Sequence, residues 1–373
     1  MRFIATSNGL LRSLQQINGV ISTNAVLSVL ENFLFELNGN TLSVTATDLE
    51  TMMRIQIPVN EAEGKGRICI PSKILLDYLK NLPDQPVTFT IGEDERDIEI
   101  SSSSGKYKIG GEKADEFPKE PEPVDASTLT VPASTLIGGI NKTLFAVSND
   151  TLRPAMTGVY FELENDSLGM VATDAHRLIR FLRTGVKCPE KNGFIVPKKP
   201  LQQLKSSLPA DDTELSISYN ANHLFISTPD LEMSCRLIDA KFPDYRAVIP
   251  SDNPYLLTIN KSDFLSALRR VSVFANKTTS QVLFDIVGNS LQLSAQDIDF
   301  SYEGKENLPC NYRGEDMKIA FNARLMIEMI QNLDGEEVEI ELSSPTRAGI
   351  FRPSVKKEDE ELFMLLMPLM VGV

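Results

Sequence analysis

The sequence predicts an α+β protein of three tandem domains of about 125 residues, because the 373-residue chain repeats itself three times. The first observation is a strand that ends in Asp: Leu-Ser-Val-Thr-Ala-Thr-Asp at 42–48, Leu-Gly-Met-Val-Ala-Thr-Asp at 168–174 and Leu-Gln-Leu-Ser-Ala-Gln-Asp at 291–297. The second is a strand that leads into a helix at 66–79, 193–204 and 317–330. The third is an apolar residue before proline, at 117–118, 242–243 and 367–368. We therefore expect domains at residues 1–122, 123–250 and 251–373, each able to bury its own core.

Within each repeat the pattern predicts two βαβββ units. The first unit begins with an amphipathic helix, expected at 7–22, 133–148 and 261–276, whose apolar residues recur every three to four positions. Ser134 and Asp263 are the expected N-terminal signals of the second and third of these helices. Alternating strands such as 156–163 follow, and the second unit has a short helix at 72–81, 198–207 and 323–332 and strands such as 338–342. Proline-containing polar segments at 116–125 and 248–255 are the expected linkers.

The composition bounds the class of protein. A hydrophobic content of 42% with 24% charged residues is ordinary for a globular protein in water. The sequence lacks a long apolar run and a secretory leader, so we expect no membrane partner. Its four cysteines, Cys69, Cys188, Cys235 and Cys310, form no CxxC pair. This spacing argues against a zinc site and favours a reducing, cytoplasmic location.

The charge is unevenly distributed along the chain. The net charge is −14, but the six predicted helices together carry +8 and the remaining residues −22. If the helices share one face, that face can approach phosphates while the rest of the surface repels them. The alternative is that these Lys and Arg side chains only form solvated helix faces.

Enzymatic chemistry is not expected. His176 follows Asp174 by two residues, but the sequence has no nucleophile elbow, no HExxH motif and no third metal ligand at a useful spacing. Asp48, Asp174 and Asp297 recur with the repeat, which favours a structural role in turns. Residues 63–67 contain two glycines and a lysine at the wrong spacing for a phosphate-binding loop. We therefore expect no catalytic residue, no metal and no cofactor.

Four motifs, together with the threefold repeat, carry a family resemblance. They are Leu-Gln-Gln-Ile-Asn-Gly at 14–19, Thr-Asp-Ala-His-Arg-Leu at 173–178, Lys-Phe-Pro-Asp-Tyr-Arg at 241–246 and Met-Pro-Leu at 367–369. In combination they resemble the bacterial sliding clamps, the beta subunits of DNA polymerase III, over essentially the whole chain. The resemblance implies three clamp-type domains that form half of a six-domain ring, with helices inside and sheets outside.

The resemblance also implies partners. Two copies would close head to tail into a homodimer that encircles double-stranded DNA without reading its sequence and tethers the replicative polymerase for processive synthesis. The implied protein partners are the DNA polymerase III alpha and clamp-loader delta subunits, other polymerases and repair proteins, all through short clamp-binding motifs. Loading onto DNA would need a separate ATP-driven loader.

Site residues follow from the same resemblance. The partner-peptide pocket is expected at Arg153, Met156, Thr173, His176, Arg177, Leu178, Pro243, Val248, Asn322, Leu325, Leu365, Met367, Pro368 and Leu369. The DNA-facing residues are expected to be Arg12, Asn24, Lys73, Lys80, Lys142, Asn149, Lys198, Lys199, Lys205, Arg269 and Arg270. The dimer interface is expected at Lys106, Tyr107, Lys108, Ile109, Val273, Phe274, Glu303 and Glu306. The chain departs from the family pattern in a charged loop at 356–361, in a tail that continues to residue 373, and at Asn24, where the family often has Arg.

The sequence leaves two other interpretations open. A repeat scaffold could bind linear peptide motifs without encircling DNA, although it would not need basic helices in an acidic chain. A single chain could close on itself, although three domains would leave a smaller hole than six.

Overall fold

The computed structural model describes residues 1–22, 26–92, 96–209 and 211–370, which form an α+β protein. Within them the helices are α1 (Ser7–Asn18), α2 (Ser72–Lys80), α3 (Ala133–Thr143), α4 (Lys198–Ser207), α5 (Lys261–Ser272) and α6 (Ala323–Gln331). The strands of the first repeat are β1 (Arg2–Thr6), β2 (Asn32–Asn38), β3 (Thr41–Thr47), β4 (Thr51–Pro58), β5 (Asn60–Glu63), β6 (Gly66–Pro71), β7 (Pro86–Ile91), β8 (Asp97–Ser102) and β9 (Gly105–Gly110). Those of the second are β10 (Ser127–Pro132), β11 (Gly158–Glu164), β12 (Ser167–Thr173), β13 (Arg177–Thr184), β14 (Asn192–Pro197), β15 (Glu214–Tyr219), β16 (His223–Ser227) and β17 (Leu231–Arg236). Those of the third are β18 (Tyr255–Asn260), β19 (Gln281–Val287), β20 (Ser290–Asp297), β21 (Tyr302–Pro309), β22 (Asn311–Arg313), β23 (Met317–Asn322), β24 (Glu337–Leu342), β25 (Gly349–Pro353) and β26 (Glu360–Leu366).

All six predicted helices are confirmed at their predicted first residues, and all but α4 end one to five residues earlier than predicted. The first helix ends at Asn18, and residues Leu144–Ala146 after α3 form a tighter 3-10 turn. Asp263 lies in the first turn of α5, as expected for an N-terminal signal, but it does not cap the helix. Asn260 caps α5 by accepting a hydrogen bond from the Asp263 backbone N–H at 3.1 Å. The Ser134 hydroxyl instead donates to Asp212.

The two halves of each repeat exchange their first strands. The strands β1, β10 and β18 begin the first halves, yet they pair with β7, β15 and β24 of the second halves. Conversely, β6, β14 and β23 begin the second halves and pair with β2, β11 and β19. All these pairs are antiparallel. A βαβββ unit is therefore a unit of sequence, while each sheet is built from both halves.

The chain forms two compact units. Unit 1 comprises residues 1–137 and 199–237, and unit 2 comprises 138–198 and 238–373. Unit 1 contains an eight-stranded sheet, β10-β15-β16-β17-β4-β3-β2-β6, and a five-stranded sheet, β5-β1-β7-β8-β9. Unit 2 contains a nine-stranded sheet, β14-β11-β12-β13-β26-β25-β24-β18-β22, and a four-stranded sheet, β21-β20-β19-β23. Each large sheet joins two repeats, through the pairs β4–β17 and β13–β26.

One proposed repeat mark is wrong in the third repeat. The backbone contacts that close the three second halves are Cys69 with Glu112, Ile195 with Ile238, and Ala320 with Leu369. They place Met367-Pro368 at the position of Arg236-Leu237, and not at that of Phe242-Pro243. The loops at 343–348 and 354–359 are longer than those of the second repeat. Pro368 therefore follows Pro243 at the spacing of the repeat but does not occupy the equivalent position in the fold.

Aromatic side chains form the centre of each core. In unit 1 the rings of Phe3 and Phe89 stack at 4.9 Å, beside Phe35. In unit 2 edge-to-face contacts of 5.5–6.1 Å link Phe264, Phe284, Phe321 and Phe351. These side chains are buried, as expected for large apolar groups at the contact between helices and sheets. None of the helices within the described ranges has the length and apolar character needed to cross a membrane.

Candidate functional site

The predicted pocket is built on the turn between β12 and β13 in unit 2. One carboxylate oxygen of Asp174 accepts hydrogen bonds from the backbone N–H groups of His176 and Arg177, both at 3.0 Å. The Thr173 hydroxyl donates to the Arg177 carbonyl at 2.7 Å, and Ala175 has a φ of 74°. This confirms the structural role predicted for the repeated Asp.

The same turn recurs in the first repeat. Asp48 accepts from the N–H groups of Glu50 and Thr51, and Leu49 has a φ of 79°. In the third repeat Asp297 accepts from the N–H of Asp299, but four residues separate it from the next strand.

Arg177 is a buried part of this framework. Its side chain is only 5% exposed, and its guanidinium donates to Asp174 at 3.0 Å, to Glu328 of α6 at 2.7 Å and to the Phe145 carbonyl at 2.9 Å. It also lies over the Phe145 ring, 5.1 Å from the centroid. Each of its three guanidinium nitrogens therefore donates to an acceptor within the chain, so Arg177 positions the turn.

Strand pairing brings the turn to the C-terminal segment. Leu178 lies opposite Leu365 in the β13–β26 pair, and the Met367 N–H donates to the His176 carbonyl at 2.9 Å. Leu369 continues the contact by donating to the Ala320 carbonyl at 2.8 Å. The C-terminal residues of the described chain are thus fixed beside the Asp174 turn by backbone hydrogen bonds.

The floor of the predicted pocket is a hydrophobic cluster. Leu178 and Leu365 are buried in it together with Phe242 and Tyr245, which flank Pro243 in sequence. Ala155, the neighbour of Met156, packs against the same cluster. Leu178 and Leu365 therefore serve the core as well as any groove above them.

The remaining predicted pocket residues lie nearer the surface. His176, Val248, Met367 and Arg153 are exposed, and Met156, Pro243, Leu325, Pro368 and Leu369 are half-buried. Arg153 pairs with Asp150 at 2.9 Å. Asn322 caps α6 by accepting from the N–H groups of Arg324 and Leu325. An apolar floor with half-buried methionine and proline at its edge suits a short linear peptide.

The predicted DNA-facing cations fall into two groups. Arg12, Lys73, Lys205 and Arg269 are exposed. Others are held by acceptors within the chain: Lys80 by Asp77, Lys142 by Asp334 and the Asn332 carbonyl, Lys198 by Asn149, Lys199 by Asp48 and the Val20 carbonyl, and Arg270 by Glu306. The six observed helices still carry +8. Asn24 lies outside the described residues.

Six of the eight predicted interface residues lie on two edge strands, and the other two, Val273 and Phe274, directly follow α5. Strand β9 carries Lys106, Tyr107, Lys108 and Ile109, and β21 carries Glu303 and Glu306; each strand is the last of its sheet among the residues described. Tyr107, Val273 and Phe274 are exposed. Several predicted ionic partners already have partners within the chain: Lys106 pairs with Glu99, Glu303 with Lys305, and Glu306 with Arg270. The hydrogen bond from Arg270 lowers the pKa of Glu306.

Sequence reasoning missed an apolar patch beside β21. Ile298, Phe300 and Tyr302 are all exposed, and the rings of Phe300 and Tyr302 stack at 5.7 Å. The signal was present: three large apolar residues follow Asp297 where the other repeats have Leu-Glu and Ala-His. Such clusters are unusual on the surface of a monomer.

The thiols are unsuited to nucleophilic chemistry. Burial raises the pKa of Cys69 and Cys235 to about 12, and it also raises the pKa of Cys188 and Cys310. Across the parts of the chain that the structure describes, no three His, Cys, Asp or Glu side chains are grouped to hold a metal ion.

Comparison with known proteins decides the family. Sequence models of the N-terminal, central and C-terminal domains of the DNA polymerase III beta subunit match residues 1–121, 130–244 and 246–369. The chain belongs to the DNA polymerase III beta subunit family. This beta subunit is 26% identical to the beta sliding clamp of Vibrio cholerae over 99% of its length and 100% of the relative. It is 29% identical to that of Proteus mirabilis over 92% and 93%.

Solved structures agree over the full length. The DNA polymerase III beta subunit of Thermotoga maritima has a TM-score of 0.91 at 26% identity, and the sliding clamp of Pseudomonas aeruginosa bound to griselimycin has 0.94 at 25%. Both comparisons cover 100% of each chain. The chain is therefore three tandem clamp domains, serves processive DNA replication as a non-catalytic sliding clamp, and has a DNA polymerase as its partner.

Proposed function

We propose that two copies of this beta subunit close head to tail into a ring around duplex DNA. The helix cations face the DNA backbone, and tethered enzymes insert short linear motifs into the groove of unit 2. Contacts of this kind hold DNA by charge and by encirclement, without reading its bases.

The observation that carries the proposal is how the repeats join within the chain. At each internal joint, the last strand of a first half pairs with the last strand of the next repeat's second half: β4 with β17, and β13 with β26. In the third repeat the strand equivalent to β4 and β13 is β21, and in the first repeat the strand equivalent to β17 and β26 is β9. Among the described residues, each of these two strands lies at the edge of its sheet. An open edge strand invites pairing with another chain, and β21 of one copy has the geometry to pair with β9 of the next.

The internal joints also predict the register of the new pair. Thr51 lies opposite Cys235, and Arg177 opposite Leu366. The equivalent residues, Tyr302 and Ile109, should then lie opposite each other across the joint.

The next positions along the two strands follow. Glu303 should oppose Lys108, and Gly304 should oppose Tyr107. The first pair brings opposite charges together, and the absence of a side chain at Gly304 leaves room for Tyr107 and for Phe274, which packs on Gly304.

The apolar residues near these edges support the same closure. Tyr107, Val273, Phe274, Phe300 and Tyr302 are exposed in the single chain, and pairing of β9 with β21 would cover side chains of this set. Burial of apolar surface is the main favourable term in such an association, at about 25 cal/mol per Å².

The groove supports the partner part of the proposal. Its buried leucines give a fixed floor, and Met367 at its edge can adapt to several peptides. The motif-bearing partners would be the DNA polymerase III alpha and clamp-loader delta subunits, other polymerases and repair proteins, and we expect this binding to occur in the cytoplasm.

A charge exchange tests the register and ring closure together. Lys108→Glu and Glu303→Lys should each raise the dimer dissociation constant by at least about tenfold, because each places like charges opposite each other. The double variant should recover most of the loss. Lys187→Glu, at a fully exposed position away from both edges, is the control. Light scattering over a dilution series gives the mass, expected near twice 41.4 kDa for the unaltered chain.

Two outcomes would overturn the proposal. A strict monomer of 41.4 kDa at micromolar concentration would exclude closure by this chain alone and favour a peptide-binding scaffold. A dimer that is equally stable in both single variants would exclude this register. The dimer should also be retained on circular DNA at high salt and lost when the circle is cut, since encirclement does not depend on ionic contacts.

A further inference from the structure

Unit 1 contains a second cavity at the position that corresponds to the groove of unit 2. The backbone contacts are repeated: the Arg236 N–H donates to the Glu50 carbonyl at 2.8 Å, as the Met367 N–H donates to that of His176. Ser234 lies opposite Met52 in the β17–β4 pair, as Leu365 lies opposite Leu178. A cavity of about 130 Å³ opens there. Its ten lining residues include Thr47, Leu49, Met52 and Ser234, and two exposed charged residues, Glu50 and Lys119.

The side chains of this cavity differ from those of the groove. Where Leu365 fills the hydrophobic cluster of unit 2, unit 1 has the much shorter Ser234. Ser234 is 2% exposed, and its hydroxyl has no hydrogen-bond partner in the described part of the chain. A buried polar atom without a partner is costly, so a ligand that supplies one is favoured.

The rim of the cavity carries a strained residue. Leu49 has a φ of 79°, a conformation that is an outlier for a bulky side chain, and it is 58% exposed. The fold therefore keeps an apolar side chain at the cavity mouth at a cost in backbone energy. Strain of this kind is concentrated at ligand-binding positions.

We propose that this cavity is a second peptide site, which accepts one side chain with a carboxamide tip, Gln or Asn, from an extended segment of a partner protein. The volume is close to that of an engineered cavity of about 150 Å³ that holds one benzene molecule, so it fits one side chain. A neutral amide can both donate to and accept from the Ser234 hydroxyl once rotation about the Cα–Cβ bond turns this buried oxygen toward the cavity. A charged tip would be disfavoured next to the buried Met52 and Cys235, because the charged lining residues, Glu50 and Lys119, are exposed to water and not buried beside them.

The inference rests on the proposed function only for the kind of ligand, an extended peptide. The cavity and the groove share no residue, because the first is lined entirely by unit 1 and the second by unit 2. Variants in one should therefore leave the other intact.

Selection of peptides on the full-length protein tests the proposal. Random heptapeptides displayed on phage are selected on the unaltered chain, and each selected peptide is synthesised and its affinity measured by calorimetry. Leu49→Gly should fold at least as stably, since glycine adopts positive φ freely, and should weaken a peptide of this site about tenfold or more. Ser234→Leu should do the same by filling the cavity. Leu152→Gly, at a leucine outside the cavity that is 90% exposed against 58% for Leu49, is the control.

The groove variant separates the two sites. Met367→Ala should weaken groove peptides and leave peptides of the second site unchanged. Support requires at least one Gln- or Asn-containing peptide that is weakened by Leu49→Gly and by Ser234→Leu but not by Met367→Ala or Leu152→Gly. The inference is overturned if every selected peptide depends on Met367 alone, or if no selected peptide responds to Leu49→Gly. Failure of dimer formation would overturn only the ring.

Discussion

Replacement of Arg177 by methionine should destabilise unit 2 by about 3–4 kcal/mol. Methionine has a similar length and no charge, so the change removes three hydrogen bonds while it leaves little empty space. The Glu328 contact contributes little, since that carboxylate is 52% exposed. The cost comes mainly from Asp174, which is 17% exposed and loses its cation, and from the Phe145 carbonyl, which loses its donor. Removing one partner of a buried charged pair typically costs about 3–5 kcal/mol.

The free energy of unfolding is measured by urea denaturation of the dimer at fixed protein concentration, from the transition that corresponds to unit 2. At this size a loss of about 3 kcal/mol corresponds to a fall in Tm of roughly 6–12 °C. Arg177→Lys keeps the charge but not the planar fork, so it should recover only part of the stability. Arg153→Met should leave stability almost unchanged, because its pair with Asp150 is exposed. A loss below about 1 kcal/mol for Arg177→Met would refute the assignment of Arg177 as the framework of the turn.

Three further predictions test the interface, the helix face and the core. Phe300→Ser, in the turn between β20 and β21, should raise the dimer dissociation constant about tenfold in sedimentation experiments. Val287→Ser, at an exposed position of the neighbouring strand β19, should not, and equal effects would exclude a role for the patch. For DNA binding by the chain that is not closed into a ring, Arg269→Ala should reduce the slope of the logarithm of the binding constant against the logarithm of the salt concentration by about one. An unchanged slope would show that Arg269 does not contact DNA. Burial, and then the hydrogen bond to Glu162, raise the pKa of Tyr245 to about 12, against 10.0 for an ordinary tyrosine. Since the unfolded chain ionises first, the free energy of unfolding should fall as the pH rises from about 10 to 12, and Tyr245→Phe should abolish this tyrosine's late step in the ultraviolet titration.

The fold could be predicted largely because its signals are local. Helical spacing of apolar residues located all six helices, and the repeated Asp located the turns at 48 and 174. The exchange of first strands between halves could not be predicted, because alternation along a strand specifies its buried face and not its neighbour. The pairing of Lys142 with Asp334, 192 residues away, was hidden for the same reason.

The candidate site was less predictable than the fold, because equivalent positions keep their backbone contacts and change their side chains. The position that begins β4, β13 and β21 holds Thr51, Arg177 and Tyr302. The backbone N–H groups of Thr51 and Arg177 each donate a hydrogen bond to the Asp of their own turn. The side chain of Thr51 is small and carries a hydroxyl, whereas that of Arg177 is a buried cation. The third is an exposed aromatic ring. The repeat therefore predicts where three equivalent joints lie, and the side chains decide what each one does: unit 2 has the leucine floor of a groove, unit 1 a polar cavity, and the chain end an apolar edge suited to a second copy.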